Sequence, residues 1–394
     1  MKNLSENTFS VPFGPQHPAL KEPENFMFTV DGERVVDVKI RLGYVHRGGE
    51  KAFEARTYTQ GLYLVERICG ICAMAHQLCY VNNVEALIDV EIPRRADYIR
   101  TIIAELERIH SHLLWVGVAG HEIGWDTLFM YAWRDREVVL DLMELTTGNR
   151  VLHASNTIGG VRRDLTSEMI SRIRKGMKLL KERTNYYKAM IPKERTLMKR
   201  AVGVGVLKPQ DAVALCAVGP TLRASGIKRD VRRDDPYSAY DETPFDVITY
   251  DGCDVASRVL VRVDEILESI KILNYALEHL PSGPIAVRLP RGVPAGENVS
   301  MVEAPRGEDI HYLKSNGTDK PERYKVRAPT LANWPAVGAM IKGGYIADIP
   351  IVLAAIDPCM SCTDRMTFTE VNSAKSWQWS RDELRRYSLK WRGK

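Results

Sequence analysis

The sequence predicts an α+β fold that is mainly α: a bundle of long helices, a small N-terminal β-sheet and short strands near the C-terminus. Three observations carry this prediction. Apolar residues recur at three- and four-residue spacing over several long segments. Asp31-Gly32, a strong hairpin turn signal, lies between the apolar runs at residues 26–30 and 35–40. After Asn298 the helical period weakens, and short β-like runs follow at residues 299–303, 310–313 and 324–326.

The elements follow in chain order. After Gly43 the pattern turns helical, and residues 52–87 read as long and mostly helical despite a Cys-x-x-Cys pair inside them. The clearest helix runs from Arg94 to about Val118, with Ile99, Ile102, Ile103, Leu106, Ile109, Leu113 and Leu114 on its apolar side. Arg100, Glu105, Glu107 and Arg108 fall mainly on the other side, and Pro93 stands at the start, where a missing N–H costs nothing. Further helices are predicted over residues 127–147, 167–190 and 255–280. An apolar run at 346–356 leads into Asp357-Pro358-Cys359. The reading gives four regions: a β-rich segment 1–48, a helical core 49–297, a β-rich return 298–365 carrying the second Cys pair, and a C-terminal extension 366–394. The two β-rich parts are expected to form one edge assembled from both chain ends.

Composition bounds the class. The chain has 394 residues, 45% hydrophobic and 27% charged, enough apolar surface for a folded core. No apolar run reaches the length of a membrane-spanning helix. The N-terminus lacks a hydrophobic signal core, which points to a cytoplasmic protein. The net charge is +5, spread along the chain apart from the last segment, and no basic stripe with interleaved aromatics points to nucleic acid. The extension is polar and basic, with Trp377, Trp379 and Trp391 expected to pack against the large body of the chain or a partner.

Cysteine carries the chemistry. Of the seven cysteines, Cys69/Cys72 and Cys359/Cys362 form Cys-x-x-Cys pairs near opposite ends of the chain. Each pair lets two thiolates converge on one ion, and four thiolates form a soft donor set for zinc, nickel or iron. On the residues alone, structural zinc, a redox or catalytic metal and unpaired buried thiols all stay open. Cys79, Cys216 and Cys253 read as small buried hydrophobes. His110 and His112 fall on different faces of their helix, against a two-histidine metal site.

The flanking residues narrow the choice. RICGICAMAH at 67–76 closely resembles the first cysteine motif of nickel–iron hydrogenase large subunits, and DPCMSCTDR at 357–365 resembles their last. Further blocks at 12–18, 43–50, 94–124, 159–164 and 303–307 resemble the energy-converting, membrane-bound branch of that family, including formate hydrogenlyase-type enzymes. They also resemble the related quinone-site (49 kDa-type) subunit of respiratory complex I, which lacks the cysteines.

The resemblance implies a hydrogenase large-subunit-like fold and a nickel–iron centre whose iron carries cyanide and carbon monoxide. Cys69 and Cys359 are then terminal nickel ligands, and Cys72 and Cys362 bridge. It further implies that Glu22 transfers protons, that Arg306 approaches the diatomic ligands with Asp357 orienting it, and that His76 hydrogen-bonds a thiolate. His17 and Tyr58 match a quinone-contacting pair of complex I. The implied partners are an iron–sulfur small subunit and the other hydrophilic and membrane subunits of an ion-pumping complex. The implied location is peripheral, at the cytoplasmic face of the cell membrane. In processed members of the family the precursor is cut after the final motif, here after Arg365. An uncut chain implies the alternative: a metal-free, hydrogenase-like subunit of a sulfane sulfur reductase or a complex I-like respiratory complex.

Overall fold

The computed structural model describes residues 8–290, 292–363, 368–369, 376–377, 379 and 381–392. Strands β1 (Thr8–Phe13), β2 (Asn25–Asp31) and β3 (Arg34–Arg41) form an antiparallel sheet in that order. The alternation seen in the sequence is the reason: Phe26, Phe28 and Val30 all face the core, and Phe26 meets Trp334 edge-on at 5.5 Å. Gly32 makes the hairpin turn at φ 57°, a region that favours glycine. Strand β1 adds to the expectation; it holds Pro12 and is only partly covered, so its sequence signal is weak.

The long helical stretch predicted after Gly43 is broken into α1 (Gly49–Phe53), α2 (Tyr58–Val65) and α3 (Ala73–Ile88). A capping box, Thr57 with Gln60, starts α2. The loop between α2 and α3 carries Cys69 and Cys72.

The bundle follows. Helices α4 (Arg94–Ile123) and α5 (Asp126–Thr147) pack together, and α7 (Val255–Glu278) packs on α4 and on α6 (Ser167–Met190). Thr166 and Asp254 cap α6 and α7 through Met169 N–H and Ser257 N–H. The polar face of α4 is not a solvent face. Arg100, Glu105, Glu107 and Arg108 are all buried, because α3, α7 and a second sheet cover that side. Their charges are met internally: Arg100 pairs with Glu85 at 2.6 Å, and Glu105 is held by Arg108 and Arg232.

Strands β4 (Gly296–Ala304), β5 (Gly307–Ser315) and β6 (Pro321–Arg327) form that second antiparallel sheet. The expected single β-rich edge is therefore two separate sheets. The N-terminal sheet instead meets the chain before the last cysteines, through Val35 N–H to Gly344 O and Ile346 N–H to Glu33 O, both 2.9 Å. Helices α8 (Pro329–Ile341) and α9 (Ile349–Ala355) follow, the second made by the apolar run and buried along its length.

Two smaller expectations are corrected. Cys79 is buried, but Cys216 is exposed and Cys253 only partly covered. Positive charge is not evenly spread: Arg172, Lys175, Lys178 and Lys181 line the exposed side of α6. In the extension, Trp391 lies on α10 (Arg381–Arg392) and is 63% exposed, which leaves a partner as the surface for its expected packing. Trp379 packs on Tyr387 at 4.8 Å, within the extension itself. Arg365 and the side chain of Trp377 lie outside the described residues. Among the described residues no helix is long and apolar enough to cross a membrane.

Candidate metal centre

The two Cys-x-x-Cys loops meet in the interior. Cys359 Sγ lies 3.2 Å from Cys69 Sγ and 2.9 Å from Cys362 Sγ, and the sulfurs of Cys69, Cys72 and Cys362 all fall within 4.8 Å of one another. All four residues are buried. Packing thiols this closely drives proton sharing. Hydrogen bonds from its three neighbours lower the Cys69 thiol, while Cys72 and Cys362 are pushed up chiefly by facing Cys359.

Each loop is held by groups from elsewhere. Glu107 of α4 accepts Met74 N–H at 2.5 Å and Ala75 N–H at 3.0 Å, filling the exposed donors at the start of α3. Burial raises the Glu107 carboxyl to about 8. Arg47 spans both loops: its guanidinium donates to Arg67 O at 3.2 Å, Ile68 O at 2.8 Å and Ser361 O at 3.1 Å. Thr330 Oγ1 accepts Cys359 N–H at 3.1 Å. Neither Glu107 nor Arg47 was singled out from the sequence. Glu107 sits on a face whose periodicity reads as solvent; Arg47 lies in the GYVHRGGE block, without a residue-level signal of its role.

Arg306 occupies the tight turn between β4 and β5. Its Nε donates to Asp357 O at 2.7 Å, Nη2 to Asp357 Oδ1 at 2.8 Å and Nη1 to Ser111 Oγ at 3.2 Å. The turn closes on Gly307 at φ 126°, where an added Cβ would come within 2.7 Å of Gly219 N. Only glycine permits that approach, which seats Arg306 over Asp357. Burial raises the Asp357 carboxyl, against the pull of Arg306 and Arg262.

Glu22 reaches the same place from the β1–β2 loop: its carboxylate accepts Ser361 N–H at 2.9 Å. Glu22, Arg306, Asp357, Cys69 and Cys359 line one cavity of about 280 Å³. His76, on α3, places Nε2 at 3.4 Å from Cys362 Sγ and Nδ1 at 2.8 Å from Asp309. Burial opposes charge on His76, but Asp309 overrides it and the histidine's pKa is raised. A second cavity of about 190 Å³ touches Cys362 from the other side and is lined by Arg47, Glu50, Arg67 and Val326.

His17 and Tyr58 do not join this group. His17 stacks on Phe13 at 3.7 Å, and its Nδ1 accepts Ala19 N–H at 3.2 Å. Tyr58 is buried at the start of α2, its carbonyl taking a hydrogen bond from Tyr80 OH at 2.8 Å. Neither lines the sulfur cavity.

The site is thus a buried four-thiol centre with a cation, a carboxyl and a histidine set around it, at the junction of the two chain ends. Residues 122–292 and 290–365 match the family described as respiratory-chain NADH dehydrogenase, 49 Kd subunit, and residues 47–117 match nickel-dependent hydrogenase. Formate hydrogenlyase subunit 5 of Escherichia coli is 40% identical over 380 residues, covering 96% of this chain and 67% of that one. Membrane-bound hydrogenase subunit alpha of Pyrococcus furiosus is 41% identical over 383 residues, covering 91% and 88%. A solved chain of the membrane-bound sulfane sulfur reductase, an archaeal respiratory membrane complex, superimposes with a TM-score of 0.87 at 32% identity, covering 92% of this chain and all of that one. The chain belongs to the family of nickel-dependent hydrogenase large subunits and respiratory 49 kDa subunits. It is an oxidoreductase subunit of the kind shared by membrane-bound hydrogenases and complex I-like enzymes.

Proposed function

We propose that this chain is the catalytic large subunit of an energy-converting complex that reduces protons or oxidises hydrogen at a nickel–iron centre held by Cys69, Cys72, Cys359 and Cys362. The observation that carries the reading is the convergence of four buried sulfurs, two of which, Cys69 and Cys359, share one cavity with Arg306 and Glu22. The donor set fits the group: sulfur ligands suit nickel and iron, and the buried guanidinium offsets their negative charge. When bound, the centre supplies the place where electrons and protons combine.

The chain's own residues do the rest. Glu22 carries protons between the cavity and the outside, with Ser361 N–H fixing its carboxyl. Arg306 presents a fixed positive charge inside the cavity, and Asp357 and Ser111 hold its plane. His76 hydrogen-bonds the Cys362 sulfur and is itself aligned by Asp309. Leu114, Trp115 and Leu353 give the cavity apolar walls.

Electrons need a partner. Cys79, Cys216 and Cys253 are the only other cysteines, too few and too scattered for an iron–sulfur relay. An iron–sulfur small subunit docks beside the Cys362 cavity, and membrane subunits couple the reaction to ion movement at the cytoplasmic face.

The similarity to the sulfane sulfur reductase chain favours a second reading, in which the thiols hold no nickel–iron and the complex reduces polysulfide. Paired assays on the purified complex separate the two. Hydrogen evolution that is lost in Cys359→Ser supports the first reading. Sulfide release from polysulfide, unchanged in Cys359→Ser and without hydrogen evolution, overturns it.

A further inference from the structure

The face of the second sheet that covers α3 is polar where an apolar one would do. Asp309, His311 and Leu313 alternate along β5, and Tyr324 of β6 stands opposite Leu313, so all four side chains share that face. All four are fully buried. His311 Nε2 lies 3.1 Å from His76 Nδ1; the ring planes are 20° apart and the centroids 5.3 Å, so the rings meet through these nitrogens. Tyr324 Oη meets His311 Nδ1 on the far side. Asp309 Oδ2, 2.8 Å from His76 Nδ1 and 3.1 Å from His311 Nε2, sets a negative charge beside both rings. At the near end His76 Nε2 is 3.4 Å from Cys362 Sγ. The contacts thus run unbroken from Tyr324 to the sulfur.

The hydrogen positions follow from the far end. Burial pushes the Tyr324 phenol up, so it keeps its proton, and burial lowers His311, which stays neutral. His311 is the hydroxyl's partner among the described residues, and a buried O–H without an acceptor is costly. Tyr324 therefore donates and His311 Nδ1 accepts. A neutral imidazole with one accepting nitrogen carries its hydrogen on the other. His311 then donates from Nε2 to His76 Nδ1, which leaves the His76 hydrogen on Nε2, facing Cys362.

We propose that Tyr324 and His311 are positioning residues of the centre: they fix His76 as an N–H donor to the Cys362 sulfur. The proposal deepens the reading above and rests on it, because a metal-held Cys362 is a thiolate and can only accept. Either tautomer of His76 fills the same space, and the order set from Tyr324 selects the one with its hydrogen toward the sulfur. That N–H draws charge from the thiolate and so limits how much the sulfur gives a bound metal.

Infrared spectra of the purified complex test this through the stretching bands of the carbon monoxide and cyanide that the reading places on iron. Tyr324→Phe keeps the ring and removes only the O–H. Its bands should move to lower wavenumber, in the same direction as in His76→Ala, because a sulfur without its donor pushes more charge onto the metal. His311→Ala should move them likewise. His311→Gln, whose amide donates from Nε2, should bring them back toward the wild-type position. Wild-type bands in both Tyr324→Phe and His311→Ala overturn the proposal. A shift in His311→Ala that His311→Gln does not reverse also overturns it, and assigns His311 to packing alone. An active wild-type complex without these bands overturns the underlying reading instead, so the two failures are distinguishable.

Discussion

Glu22 and Ser361 are joined by a 2.9 Å hydrogen bond across 339 residues of sequence. A side chain from the N-terminal hairpin thereby sits against the backbone of the last Cys-x-x-Cys loop, on the wall of the sulfur cavity. Replacing Glu22 with Gln keeps an oxygen acceptor for Ser361 N–H and removes only the titratable proton. Turnover of the complex should drop by roughly 10²- to 10³-fold while the melting temperature stays near wild type. A large fall in melting temperature would assign Glu22 to the fold rather than to proton transfer.

Arg47 ties the two cysteine loops through three backbone carbonyls. Arg47→Ala removes those donors, and hydrogen bonds from a charged group contribute about 1.5–3 kcal/mol. The variant should fold, melt several degrees lower and expose Cys359 and Cys362 to a thiol reagent faster. Labelling at the wild-type rate would show that the loops are held without Arg47.

Arg306 and Asp357 form a buried pair at 2.8 Å. Asp357→Asn keeps the shape but strips the charge facing a buried guanidinium. Breaking such a pair typically costs 3–5 kcal/mol, roughly. Chemical denaturation should show a loss on that order. A loss below about 1 kcal/mol would mean that Arg306 is balanced by the sulfurs rather than by Asp357.

Glu24 and Glu107 give a pH signature. Both carboxyls are raised from 4.5 to about 8 in the folded chain, by burial first. Their stabilising contribution is full below the unfolded value and is lost as pH rises through the folded one. Each site then lowers stability by at most about 1.4 kcal/mol per pH unit across that window. Denaturation between pH 5 and 8 should be flatter in Glu24→Gln than in the wild type. An unchanged slope would show that Glu24 stays ionised when buried.

Much of this was legible before the structure. The periodicity of the long helices, the Asp31-Gly32 hairpin and the late strands each have local causes, and the observed elements follow them. The break between α1 and α2 has a local signal in the Thr57–Gln60 capping box, which the helical composition of the segment masked. The break between α2 and α3 was not legible, because Glu107 and Arg47, from elsewhere in the chain, hold that loop. The burial of the α4 charges was not legible for a related reason: amphipathicity separates apolar from polar faces but does not say which polar face meets solvent. The cysteine pairs were visible as motifs, whereas their meeting depends on packing between the two ends of the chain. Glu24 gave no signal at all, since an acid in a turn reads as solvated.

The central claim is that the four cysteines hold nickel and iron. Metal quantification with intact-mass determination on one purified, active preparation of the complex tests it most directly. The account predicts nickel near one per chain in the wild type, and its loss in Cys359→Ser. A catalytically active complex that contains no nickel, or zinc in its place, would contradict it.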